Sequence, residues 1–147
     1  MIAIDTNILV YAHRGDSPFH EAADRELSAL AESEKIWAIP WACLYEFLAI
    51  VTHRKIYNPS TPLPDAILQA ECWLECPRLH LIGEGDNSWT LLKDMLTKGK
   101  IVGPQIHDAR IAAVCLQNGV KTLWSADRDF SRVHGLEVIN PLVSRLS

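Results

Sequence analysis

A chain of 147 residues, 48% hydrophobic and 22% charged, has the composition expected of one soluble globular domain over 1–147, long enough to bury about two-thirds of its unfolded surface. With 18 acidic and 14 basic residues the net charge is −4, which argues against a protein that coats nucleic acid by charge alone. No apolar run reaches the roughly 18 residues of a membrane span, and no basic segment precedes the apolar N-terminus, so no membrane partner and a cytoplasmic location are expected.

Ile2-Ala3-Ile4 reads as a buried strand. Asp5-Thr6-Asn7 then interrupts the apolar run, which resumes over 8–12 with helical spacing. An aspartate at such a junction is either a cap or a working group. Arg14-Gly15-Asp16 breaks the pattern, and Ser17-Pro18 has the look of an N-cap followed by proline at the first helical position. Phe19, Ala22, Ala23, Leu27 and Leu30 give that helix one apolar stripe through about residue 32. Residues 36–39 read as a second strand, 41–53 as a helix, and 54–64, with three prolines, as a loop. Helices are predicted over 65–75 and 86–98, on either side of a strand at 79–82. His107-Asp108 starts another helix, which ends at the C-cap pair Asn118-Gly119. Strands at 122–124 and 136–139 follow. Short apolar strands alternating with helices predict an α/β fold with a mainly parallel sheet. Sites in such sheets gather at the carboxyl ends of the strands, where Asp5 and Asp127 fall.

Cys43, Cys72, Cys76 and Cys115 have no zinc spacing and are expected to be buried free thiols in a reducing compartment. Trp37, Trp41, Trp73, Trp89 and Trp124 could stack bases, but such residues more often fill cores and subunit contacts.

Four carboxylates stand in unusual places. Glu46 is the only charged residue between Ile39 and Val51. A helix apolar nearly all round should be buried, so Glu46 emerges at a solvent-facing gap, pairs with an arginine, or serves a site. Asp108, at the start of its helix, suits a cap and complements the helix dipole. Asp127 follows a strand and could cap the next turn, a task that Asp129 could share. Taken together, several acidic groups drawn to one place repel and raise one another's pKa. A divalent cation relieves this, and oxygen-only ligands select Mg²⁺ or Mn²⁺ over zinc. Such ions activate water and neutralise phosphodiester charge.

The order Asp5-Thr6-Asn7 after the first strand, Glu46 in an apolar helix, Asp108-Ala109 in a late helix and Ser125-Ala126-Asp127-Arg128-Asp129-Phe130 resembles the PIN-domain nucleases, and most of all the VapC toxins of type II toxin–antitoxin pairs. The resemblance runs from Ile2 to about Pro141. It implies a three-layer Rossmann-like sandwich around a central, mainly parallel sheet, with Asp5, Glu46, Asp108 and Asp127 as the acidic catalytic quartet that binds Mg²⁺ or Mn²⁺. Asn7 matches the polar residue that steadies the quartet. Ser125 stands where the family commonly has threonine and keeps the hydroxyl.

By the same resemblance the chain is a metal-dependent endoribonuclease in which a metal-held hydroxide attacks the scissile phosphate, leaving 5′-phosphate and 3′-hydroxyl ends. A homodimer and a small cognate antitoxin are implied with it. Sequence-specific RNA cutters usually read unstacked single strands. Candidate backbone contacts are Arg14, Lys100, Arg110, Arg128 and Arg132, each equally readable as surface charge. A housekeeping RNA-processing nuclease and a catalytically silent binding module are the alternatives. The presence of all four carboxylates argues against the second. Asn7, where an Asp-x-Asp phosphatase needs an acid, argues against that class, and the lack of an acidic pair after the first strand argues against a receiver domain.

Overall fold

The structure, a computed structural model, describes residues 1–128, 130 and 133–143. Asp129 and Arg132 lie outside the described residues. Among these, the chain order is β1 (Ile2–Ile4), α1 (Thr6–His13), α2 (His20–Glu32), β2 (Trp37–Pro40), α3 (Trp41–Val51), α4 (Leu63–Leu74), β3 (Leu79–Ile82), α5 (Ser88–Gly99), α6 (Gln105–Gln117), β4 (Thr122–Trp124) and β5 (Glu137–Ile139).

All neighbouring strands are parallel, in the order β3-β2-β1-β4-β5. Parallel strands covered on both faces read as continuous apolar runs. Ala3, Ile4, Trp37, Ala38, Ile39 and Leu123 are accordingly fully buried at the centre of the core. The edge strands β3 and β5 are less covered. From β1 the chain moves outward to β2 and β3 on one side, then returns to β4 and β5 on the other. The order therefore reverses between β1 and β4, whose registers pair Ile4 with Trp124. A crevice opens at the carboxyl ends of strands that part in this way.

The elements agree with the sequence expectations, with informative differences at their ends. The helix expected from Ser17-Pro18 begins at His20, because Ser17 Oγ accepts from the Phe19 N–H at 3.1 Å and forms a turn rather than a cap. α3 stops at Val51, where Thr52 caps it and donates its hydroxyl to the Leu48 carbonyl at 2.7 Å. α6 begins two residues early, on Pro104. Asp108 therefore lies within the first turn but is not the N-cap.

α3 also differs from the expectation of a helix buried all round. Cys43, Leu44, Phe47 and Val51 are buried, whereas Trp41 and Tyr45 are 42% and 60% exposed, with ring centroids 5.7 Å apart. Apolar composition hid an ordinary one-sided helix. Of the tryptophans, Trp37 and Trp73 are buried in the core, while Trp41 and Trp89 are exposed. All four cysteines are free, but only Cys43 and Cys115 are buried; Cys76 is half-buried and Cys72 exposed. Among the described residues no helix is long and apolar enough to cross a membrane.

Candidate active site

The crevice above β1 and β4 holds a cavity of about 370 Å³, lined by Asp5, Glu46, Asp108 and Asp127 together with Thr6 and Asn7. Four carboxylates from four separate parts of the chain thus share one space, each brought by a different element. Asp5, which is buried, follows the last residue of β1. One face of α3 presents Ala42, Glu46 and Ile50 at four-residue intervals. The first turn of α6 brings Asp108, and the segment after β4 brings Asp127.

Asp5 does two jobs. Its Oδ1 accepts from the Thr6 N–H at 2.8 Å and so caps α1, satisfying one of the helix's orphan donors. Its Oδ2 accepts from the Ser125 hydroxyl at 2.6 Å. The Cys43 thiol approaches Oδ1 at 3.6 Å as a weak donor. Burial pushes the Asp5 carboxyl above the usual carboxylate range; the hydrogen bonds from Ser125, Thr6 and Cys43 pull it back, and the charge of Asp127 pushes it further up. Burial lifts the Cys43 thiol well above its ordinary value, with the Asp5 charge adding to the rise, so it stays protonated as a donor.

Ser125 is the hub of this end of the cavity. While donating to Asp5, its oxygen accepts from the Asp127 N–H at 3.0 Å and from Asn7 Nδ2 at 3.4 Å. Asn7 Oδ1 in turn accepts from the Ala126 N–H at 3.2 Å. The first residues of α1 are therefore clasped to the segment after β4 through side chains that the sequence already singled out.

Glu46 is exposed, and its Oε2 accepts from the Thr6 hydroxyl at 3.3 Å. Among the described residues no lysine or arginine pairs with it. The ion-pair alternative for Glu46 therefore falls, and it faces the cavity from the open flank of α3.

Arg14 is a correction. Read from sequence as an RNA backbone contact, it is buried and directed inward. Nε and Nη2 donate to Asp16 at 2.8 and 2.6 Å, Nη1 donates to Thr61 Oγ1 at 3.2 Å, and the guanidinium lies 4.3 Å from the Tyr57 ring centroid. Each of its three nitrogens donates within the protein. Arg110 lines the carboxylate cavity and is paired with Glu84, which holds the Glu84 carboxyl below its usual range. Arg128 is exposed on the far side of Asp127, and Lys100 is exposed at the left-handed C-cap of α5, with φ of 50°.

Sequence reasoning missed Thr6, Cys43, Tyr11 and Tyr57. Two signals were available: Thr6 adjoins Asp5, and Cys43 precedes Glu46 by three residues on one helix. Nothing local marks Tyr57, which reaches the cavity from a loop.

The PIN domain sequence profile matches residues 2–136. The chain belongs to the PIN-domain family. This PIN domain is 32% identical over 142 residues to Ribonuclease VapC43 of Mycobacterium tuberculosis, covering 97% of this chain and 96% of that one. It is 26% identical over 137 residues to Ribonuclease VapC48 of the same organism, covering 93% and 94%. Its fold matches the solved structure of VapBC2 from Rickettsia felis bound to a promoter DNA fragment, with a TM-score of 0.69, 22% identity and coverage of 95% and 98%. VapC20 of Mycobacterium tuberculosis, described as a sarcin-ricin loop cleaving toxin, matches with a TM-score of 0.69 at 17% identity, covering 94% and 98%. The family resemblance and the parallel α/β architecture expected from the sequence are both borne out.

Proposed function

We propose that this PIN domain is a metal-dependent endoribonuclease acting as the toxin of a type II toxin–antitoxin pair. The observation that carries the reading is the meeting of Asp5, Glu46, Asp108 and Asp127 around one cavity at the sheet's switch point. Relatives that bear the name ribonuclease over nearly the full length of the chain support it.

The donor set suits a hard divalent cation. It offers carboxylate oxygens, one of them on a buried group whose pKa is raised. Among the described residues, no group of three or more His, Cys, Asp or Glu side chains is placed to hold a metal ion by itself. Mg²⁺ keeps several of its waters and takes one or two protein carboxylates directly, so one or two of Asp5, Asp108 and Asp127 would hold the ion and the others, with Glu46, would hold its waters. Such an ion supplies charge neutralisation on the phosphodiester and an acidified water. The chain's own contribution is placement. Ser125 and the Thr6 N–H hold both oxygens of Asp5 at fixed positions. The Thr6 hydroxyl orients Glu46, and Asn7 keeps the Asp127 segment against α1.

A cognate antitoxin and a homodimer complete the proposal. A solved structure of this fold, a toxin–antitoxin complex from Klebsiella pneumoniae, supports the antitoxin; it matches with a TM-score of 0.61 at 17% identity, covering 96% of this chain and 98% of that one. An acidic cavity is a natural receptor for an inserted arginine or lysine, and the exposed Trp41–Tyr45 pair offers apolar surface for a second chain. A cytoplasmic location belongs to the same reading. The test is expression in a bacterial host. Wild type alone should arrest growth, Asp5→Asn should not, and the neighbouring small gene should restore growth and co-purify. Wild type that is harmless alone, with no neighbour bound, would favour a housekeeping nuclease instead.

A further inference from the structure

The cavity has a second end that the carboxylates do not explain. α1 and α3 pack together and run outward from Asp5. Along them Asn7 is followed four residues later by Tyr11, and Glu46 four residues later by Ile50, all on the cavity wall. Beyond Ile50 the chain leaves α3, and the loop that follows brings Tyr57 into the same cavity. A polar, anionic end thus passes into an apolar and aromatic one.

Tyr57 is held in place from behind. The Arg14 guanidinium lies 4.3 Å from its ring centroid, and Asp16 grips Arg14 through two bonds at 2.8 and 2.6 Å. The third Arg14 nitrogen reaches Thr61, whose own N–H donates to the Val51 carbonyl at 2.8 Å and closes the loop onto the end of α3. His13 Nε2 lies 3.1 Å from the same Thr61 hydroxyl. A guanidinium spent on one loop, with its charge answered by a carboxylate on the surface, fixes the ring before any ligand arrives.

We propose that Tyr57 is a specificity-determining residue that stacks one unstacked nucleobase of single-stranded RNA while the adjoining phosphate lies at the carboxylate end of the cavity, and that Arg14 is the positioning residue that pre-orders it. The inference rests on the ribonuclease reading above. Recognition of single-stranded RNA works by stacking splayed bases on aromatic rings. A ring already immobilised loses little entropy on doing so. Arg14 thereby acts on RNA through Tyr57 rather than by touching phosphate.

The test uses purified full-length protein, Mg²⁺ and a random-sequence pool of short fluorescently labelled single-stranded RNA. Wild type, Tyr57→Phe, Tyr57→Leu and Asp16→Ala are compared for KM and kcat, alongside binding by anisotropy in an Asp5→Asn background. Tyr57→Leu should raise KM and weaken binding at least fivefold, the lower end of what one base stack contributes, with kcat within twofold of wild type. Tyr57→Phe should behave as wild type. Asp16→Ala leaves the buried Arg14 guanidinium without its carboxylate and should lower the melting temperature; assayed well below that temperature, it should raise KM at least twofold by loosening Arg14, with kcat within twofold of wild type. A merely structural role for the clamp would lower the melting temperature without moving KM. If Tyr57→Leu and Asp16→Ala both keep wild-type KM and affinity, or if Tyr57→Phe is as impaired as Tyr57→Leu, the inference is overturned while the ribonuclease reading stands. If wild type cuts no RNA, or Asp5→Asn cuts as well as wild type, the ribonuclease reading itself falls and takes the inference with it.

Discussion

The Ser125 hydroxyl donates to Asp5 Oδ2 at 2.6 Å, joining the ends of two adjacent parallel strands through side chains 120 residues apart. The same oxygen accepts from Asn7 and from the Asp127 N–H. Removing the hydroxyl leaves three polar groups short of a partner at a buried position. Ser125→Ala should therefore cost about 1–3 kcal/mol in chemical denaturation and lower cleavage by tenfold or more. Ser125→Thr, which keeps the hydroxyl, should retain most of both.

Asp5 makes stability depend on pH in a definite direction. Its folded pKa lies above the unfolded value of about 3.9, so between the two the folded state holds the extra proton. Stability is lost as the pH rises through that window, and the full penalty is present above the folded pKa. Asp5→Asn lacks this term. Its metal-free melting temperature should gain on that of wild type as the pH is raised from about 4 to 7. A gap that stays constant, or shrinks, would contradict the burial of a charged Asp5.

Glu46→Gln separates site from scaffold. The side chain is exposed and touches the protein through the Thr6 hydroxyl, so the variant should melt within about 0.5 kcal/mol of wild type, as surface changes do. Cleavage should nevertheless fall at least tenfold. A large loss of stability would restore the structural ion pair weighed from the sequence.

How much of this could be read from the chain depends on how local the cause was. Strands β1, β2 and β4 were legible because parallel strands buried on both faces leave uninterrupted apolar runs such as Ile2-Ala3-Ile4. Asp5, Glu46, Asp108 and Asp127 stood out because each breaks a local pattern, and their common cavity follows from the strand order. Arg14 was misread because Asp16, two residues on, was taken only as part of a break in the pattern, and because Thr61, its other hydrogen-bond partner, lies 47 residues away on a loop that folds back. Glu46 was placed on a helix buried all round because Trp41 and Tyr45 count as apolar even where they face outward. The cap at Asp5 and the metal ligand expected there were posed as alternatives, whereas a carboxylate with two oxygens has room for both.

The most direct measurement is cleavage of end-labelled single-stranded RNA by the purified protein across a Mg²⁺ titration, with wild type, Asp5→Asn and Asp108→Asn side by side. Wild type should cut with a saturable dependence on Mg²⁺, lose activity in EDTA and regain it on adding Mn²⁺, while both variants stay folded and cut at least a hundredfold more slowly. Cleavage that persists in EDTA, or that survives both substitutions, would contradict a metal-dependent nuclease built on these carboxylates.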